Sequence, residues 1–174
     1  MNLRQKVNNL PSEKGVYCFY DLNEEPVYVG KTNSSIRSRL KQHLIRQDSS
    51  IVSYGKLDIW DIFYVKYWKV ENPDRLEKEL ISDLEPYLNL EGFDSNFSDL
   101  ERDNPTGKLN LISDKEAEFR RKPYNRTKQK LEHLERMADK IKTSNHTKDT
   151  QSILYKHLNI LEDSIDDFLD TKSS

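Results

Sequence analysis

From residue 15 onward apolar and polar positions alternate, Val16, Cys18 and Tyr20 against Tyr17 and Phe19, then Val27 and Val29 against Tyr28. This period of two predicts a β-strand on each arm, and the polar stretch Asp21 to Pro26 between them predicts the turn of a hairpin. With Tyr17 near Tyr28 in register, both phenols project from one face. Two such tyrosines are also ordinary strand formers that pack or cap sheets. The pattern then changes to a helical one from Ile36 to about Gln47, with Ser34 or Ser35 as its N-cap. Ile36, Leu40 and Leu44 form its apolar stripe; His43 lies within the stripe and Arg39 on its edge, while Arg37 and Lys41 face outward. His43 reads either as a core histidine or as a site residue.

Asp48 to Lys56 is a polar loop, and Leu57 to Val70, rich in aromatic and β-branched residues, predicts a third strand. Asn72 and Pro73 then supply an N-cap and a first helical residue for a helix running to about Leu84 and stopped by Pro86. On that helix Leu76, Leu80, Ile81 and Leu84 form an apolar arc that contains Glu77. A carboxylate on a buried face needs a cation, donors or a metal to offset its desolvation, so Glu77 reads as an ion-pair partner, for Arg39 among others, or as a metal ligand. The order strand, strand, helix, strand, helix predicts an α+β domain over residues 1–90: a small antiparallel three-stranded sheet flanked by helices, with the candidate residues in one neighbourhood.

Past Asn89 the chain turns acidic and irregular, and residues 91–125 read as a linker. Residues 126–174 read as a helical hairpin, with Leu131, Leu134, Ala138 and Ile141 on one helix and Leu154, Leu158, Leu161, Ile165 and Phe168 on the other, separated by a polar break at 143–150. Such stripes close on each other or form the seam of a homodimer.

Composition sharpens this picture in two places. Of 174 residues 34% are hydrophobic and 33% charged, with formal net charge −2, so the average gives no basic signature of nucleic-acid binding. The charge is unevenly spread: 107–150 hold 12 basic and 7 acidic residues, net +5, while residues 1–90 balance at 13 and 13. Cys18 is the single cysteine, which excludes an internal disulfide, and no Cys-x-x-Cys pair offers structural zinc. The absence of an apolar leader or of 18 consecutive apolar residues leads us to expect a cytoplasmic protein without membrane association.

Gly15-Val16-Tyr17, Tyr28-Val29-Gly30, Arg39, His43, Glu77 and Pro86-Tyr87-Leu88-Asn89, taken in that order, resemble a GIY-YIG nuclease domain from about residue 11 to 90, with valine for isoleucine in both hairpin motifs. The resemblance implies a metal-dependent DNA endonuclease. It gives Tyr17 as general base, Tyr28 as a positioning residue, Arg39 as stabiliser of transition-state charge, His43 as a helper to Tyr17, Glu77 as ligand of a single Mg²⁺ or Mn²⁺, and Asn89 as a geometric support. Lys31 and Arg37 become candidates for phosphate contact, and Arg37 a rival to Arg39 because Arg39 follows Gly30 at a longer spacing than in many relatives. The short chain favours a type II restriction-like enzyme, with repair, junction processing and homing open and double-stranded DNA as the expected partner. A non-catalytic scaffold binding nucleic acid or protein is the alternative. Arg120, Arg121 and Arg126 belong to six basic residues from 120 to 130 uninterrupted by an acid; they read either as a solvated helix face or as a clamp on the DNA backbone.

Overall fold

A computed structural model describes residues 1–89, 104–143 and 148–171. It divides into two compact units. Residues 1–48 with 62–112 form the first, and 49–61 with 113–174 the second.

The first unit is an antiparallel four-stranded sheet with helices. Helix α1, Leu3–Asn8, precedes β1 (Gly15–Asp21) and β2 (Pro26–Thr32), which form the expected hairpin. Its turn is set by Asp21, whose Oδ1 accepts from the amides of Asn23 and Glu25 at 2.8 and 3.0 Å, with Glu24 in the left-handed region at φ 65°. Helix α2, Ile36–Lys41, begins at the Ser35 cap and runs into a π-helical turn over Gln42–Arg46, where a regular helix was expected. The expected third strand is β3, Ile62–Lys69, shorter at its start than the sequence pattern implied. Helix α4, Pro73–Leu84, has Asn72 as its cap and ends at Glu85 in the left-handed region. Ahead of β3, helix α3, Ser50–Ser53, belongs to the second unit.

A fourth strand, β4 (Gly107–Asn110), corrects the three-stranded expectation. It pairs with β3 and gives the order β2-β1-β3-β4, from residues read as linker. Four mostly polar residues carry no strand pattern of their own; β3 supplies the partner, and Lys6 donates to the carbonyl of Asn110 at 2.9 Å. Residues 91–103 of the expected linker lie outside the described residues. The core holds Val16, Phe19, Val29, Ile36, Leu40 and Val65, each fully buried. At Gly15 a Cβ would collide with the backbone carbonyl of Trp68, so the motif glycine lets β1 and β3 approach.

The second unit contains α5 (Asp114–Arg121), α6 (Pro123–Thr143) and α7 (Lys148–Asp170), with α6 against α7 as the expected helical pair. Its inner face differs from the predicted seam. Leu131, Ala138 and Leu158 are exposed, whereas Thr127, Lys130, His133 and Met137 of α6 and Thr150, Ile153, His157, Leu161 and Ser164 of α7 are buried. Lys130 is admitted to this interior by acids from residues 49–61: its Nζ lies 2.8 Å from Asp61 Oδ2 and 3.3 Å from Asp58 Oδ2. Arg126 joins the same pair, its Nε 3.2 Å from Asp61 Oδ1. Among the described residues no helix is long and apolar enough to cross a membrane.

Candidate active site

Register decides which side chains meet. Tyr17 stands opposite Gly30, and Tyr28 opposite Phe19, so the two tyrosines are diagonal neighbours on one face, with ring centroids 6.4 Å apart. Gly30 makes room for this: a Cβ there would lie 2.5 Å from the Tyr17 hydroxyl and 2.8 Å from the Tyr28 ring. Across the hairpin, Asn89 brackets Val29, accepting from its amide at 2.9 Å and donating to its carbonyl at 3.0 Å, while the Leu88 amide donates to the Val27 carbonyl at 3.0 Å. The Pro86 to Asn89 run therefore braces the strand that carries Tyr28 and Gly30.

Helix α2 and its π-helical continuation deliver the next two groups. An extra residue in the turn rotates the positions that follow, and π-turns often lie at functional sites. His43 occupies this one, fully buried, with Nε2 2.7 Å from the Tyr17 Oη. Burial and the nearby Arg39 guanidinium push the His43 pKa down to about 3, so the ring is neutral near pH 7. Burial also pushes the Tyr17 phenol well above its usual value, helped by Tyr28; the opposing pull of Arg39, hydrogen-bonded to Tyr17, does not overcome it. A neutral imidazole at hydrogen-bonding distance is the acceptor such a phenol requires.

Arg39 and Arg37 part company here. Arg39 faces Tyr17 and is steadied by Gln42 Oε1, 2.8 Å from its Nη1. Arg37 donates from Nε to the Leu10 carbonyl at 2.6 Å, a bond that ties α2 to the segment before β1.

Glu77 lies among Leu76, Leu80 and Ile81 on α4, its side chain 18% exposed. Its ion-pair partner is Lys31 and not Arg39: Lys31 Nζ lies 2.7 Å from Glu77 Oε2 and 2.7 Å from Asp74 Oδ1. The carboxylates of Asp74 and then Glu77 push the Lys31 pKa up to about 12. Among the described residues no three His, Cys, Asp or Glu side chains cluster to hold a metal. An ion at Glu77 would keep water as most of its shell, a coordination that Mg²⁺ accepts. The residues fit such an ion, since a partly exposed carboxylate beside two tyrosines already draws a cation to its oxygen.

This hairpin, arginine, histidine and glutamate coincide with a known domain. Residues 13–90 match the family model described as the GIY-YIG catalytic domain. They belong to the GIY-YIG family. Over 92 residues the chain is 29% identical to UvrABC system protein C of Acidobacterium capsulatum, over 93 residues 32% identical to that of Koribacter versatilis, and over 92 residues 35% identical to that of Dictyoglomus thermophilum. Each alignment takes in 52% of this chain but only 14% or 15% of the relative, so the chain spans about a seventh of these curated proteins. No solved structure matches significantly. These relatives lend nothing to the restriction-like preference.

Two residues that serve this site escaped the sequence reading, Gln42 beside Arg39 and Asp74 beside Lys31. Each stands three positions from a candidate on its helix, Gln42 after Arg39 and Asp74 before Glu77, a spacing that signals side-chain contact. The basic run behaves differently. In the second unit Arg120 donates to the Trp60 carbonyl at 2.7 Å and pairs with Glu116 at 2.8 Å, and Arg126 pairs with Asp61. Those guanidinium groups are engaged within their own unit, which removes them as the simplest backbone clamp; Arg121, in the last turn of α5, is partly exposed.

Proposed function

We propose that this protein is a metal-dependent DNA endonuclease of the GIY-YIG type, acting in the cytoplasm on double-stranded DNA. The observation that carries the reading is the Tyr17 hydroxyl at 2.7 Å from a buried neutral His43 within a GIY-YIG catalytic domain. In the hydrolysis, Tyr17 Oη accepts a proton from the attacking water as its own proton passes to His43 Nε2, so the pair works without a free phenolate. The water oxygen bonds to phosphorus and the bond to the 3′ oxygen breaks. Arg39, anchored by Gln42, donates to the phosphoryl oxygens as charge builds on them. Tyr28, across from Phe19 and braced through Val29 by Asn89, orients water or phosphate. Glu77 would hold Mg²⁺ or Mn²⁺, which supplies Lewis acidity at the phosphate and leaving oxygen. The UvrABC relatives favour repair over restriction as the setting.

One observation favours the scaffold reading, the ammonium of Lys31 on the oxygen that a metal would take. Plasmid chemistry separates the two. Supercoiled plasmid with Mg²⁺ or Mn²⁺ is expected to be nicked by the wild type, and neither by Glu77→Gln nor in EDTA. Absence of wild-type nicking with either metal on any DNA form, bubbles and junctions included, supports the scaffold.

A further inference from the structure

Lys31 bridges two acids that stand three positions apart on α4, and of the two it is Glu77 whose charge acts on Tyr17 and Tyr28. Its Nζ is equally close to both, at 2.7 Å. The other acid, Asp74, sits in the first turn of the helix with its side chain 60% exposed. There it also answers the positive end of the helix dipole. A divalent cation and an ammonium cannot share one carboxylate oxygen at contact distance without strong repulsion. An ion that takes this oxygen of Glu77 must therefore displace Lys31, and the cost of displacement depends on what Lys31 retains.

We infer that Asp74 is a positioning residue for the metal site, holding the Lys31 ammonium when a divalent ion takes Glu77 and so lowering the cost of loading it. Lys31 works as a gate: it neutralises Glu77 before the ion arrives and moves onto Asp74 alone afterwards, three positions earlier on the helix. This deepens the endonuclease reading and rests on Glu77 being the metal ligand. A plain electrostatic role for Asp74, attracting the ion with its charge, predicts a loss on neutralisation whatever stands at 31. The gate predicts a loss only while Lys31 is present.

The test is a double-mutant cycle on Mn²⁺ binding to the full chain without DNA, read by paramagnetic broadening of the backbone amide signals of residues 28–31 and 77, which tolerates weak affinity. Asp74→Asn is expected to weaken binding about fivefold or more. Lys31→Met is expected to tighten it several-fold. Asp74→Asn added to Lys31→Met is expected to change affinity less than twofold. Weakening by Asp74→Asn of the same size in both backgrounds overturns the gate, as does weaker binding on Lys31→Met. Glu77→Gln identifies the other failure: if it leaves the broadening of these signals unchanged, the metal does not bind at Glu77 and the endonuclease reading loses its ion together with the gate.

Discussion

Both units bury ionisable side chains, and they do so for different ends. In the second unit the set is closed: Lys130, fully buried, meets Asp58 and Asp61, Arg126 adds a second cation, and His157 Nε2 lies 2.8 Å from the Lys56 carbonyl. Lys130 and Arg126 hold the Asp61 carboxyl below its usual pKa although burial alone would raise it, so charge is matched by charge inside. In the first unit the buried Tyr17 and His43 pair adjoins partly exposed groups, Arg39, Lys31 and Glu77. One interior matches its charges within the protein, whereas the other leaves donors and a carboxylate facing outward for a substrate to complete. A buried ionisable pair thus marks a site only where its neighbours remain open.

Removing one member of the closed set should have the largest effect on stability. Lys130→Met leaves two buried carboxylates with Arg126 alone and is expected to cost ~3–5 kcal/mol. The urea midpoint, followed by Trp60 fluorescence in a Trp68→Phe background, measures it; a shift no larger than that of an exposed control, Lys128→Met, breaks the comparison. At the open site the same kind of deletion should cost rate instead. Arg39→Ala is expected to slow cleavage by ~3–4 kcal/mol of transition-state energy with little change in stability. Arg37→Ala should do the reverse, costing ~1 kcal/mol of stability through its lost bond to Leu10 and little rate. The opposite order would return the catalytic arginine to Arg37.

Acid should strain both interiors, more gently. Folding depresses His43 to about 3 and His157 to about 4, through burial first and then Arg39 and Lys130 respectively. The unfolded histidines take up protons below about 6.5 that the folded ones refuse. The stability they contribute is therefore complete above that pH and drains as pH falls toward the folded values, at roughly 1 kcal/mol per histidine by pH 5.5. His43→Gln and His157→Gln should each flatten the fall in urea midpoint between pH 7 and 5.5, and an unchanged slope would show those rings to be protonated in the fold.

Most of the site was legible because its signals are local. Alternation placed the hairpin, a serine cap and an Asn-Pro start placed the helices, and Glu77 betrayed itself by lying in an apolar arc. What escaped depends on partners remote in sequence. β4 has four residues and becomes a strand only by pairing with β3. Lys130 belongs inside because Asp61 and Asp58, the latter 72 positions earlier, meet it there, so the leucine stripes named only part of the inner face: Leu161 is buried, Leu131 and Leu158 are exposed. The π-helical turn that holds His43 leaves no mark in the hydrophobic period, and the diagonal placing of Tyr28 follows from a register that tyrosine positions alone do not fix.

The most direct test of the account compares nicking of supercoiled plasmid by Tyr17→Phe and Tyr20→Phe at saturating metal. Tyr20 stacks on Tyr64 with ring centroids 4.7 Å apart, whereas Tyr17 meets His43 at 2.7 Å and is the group proposed to pass its proton there. Tyr17→Phe should lose at least ~100-fold in rate, a span typical of one acid-base group, with a melting temperature close to wild type, and Tyr20→Phe should retain most of the rate. Equal losses in the two variants, or a Tyr17→Phe protein that nicks at the wild-type rate, would contradict it.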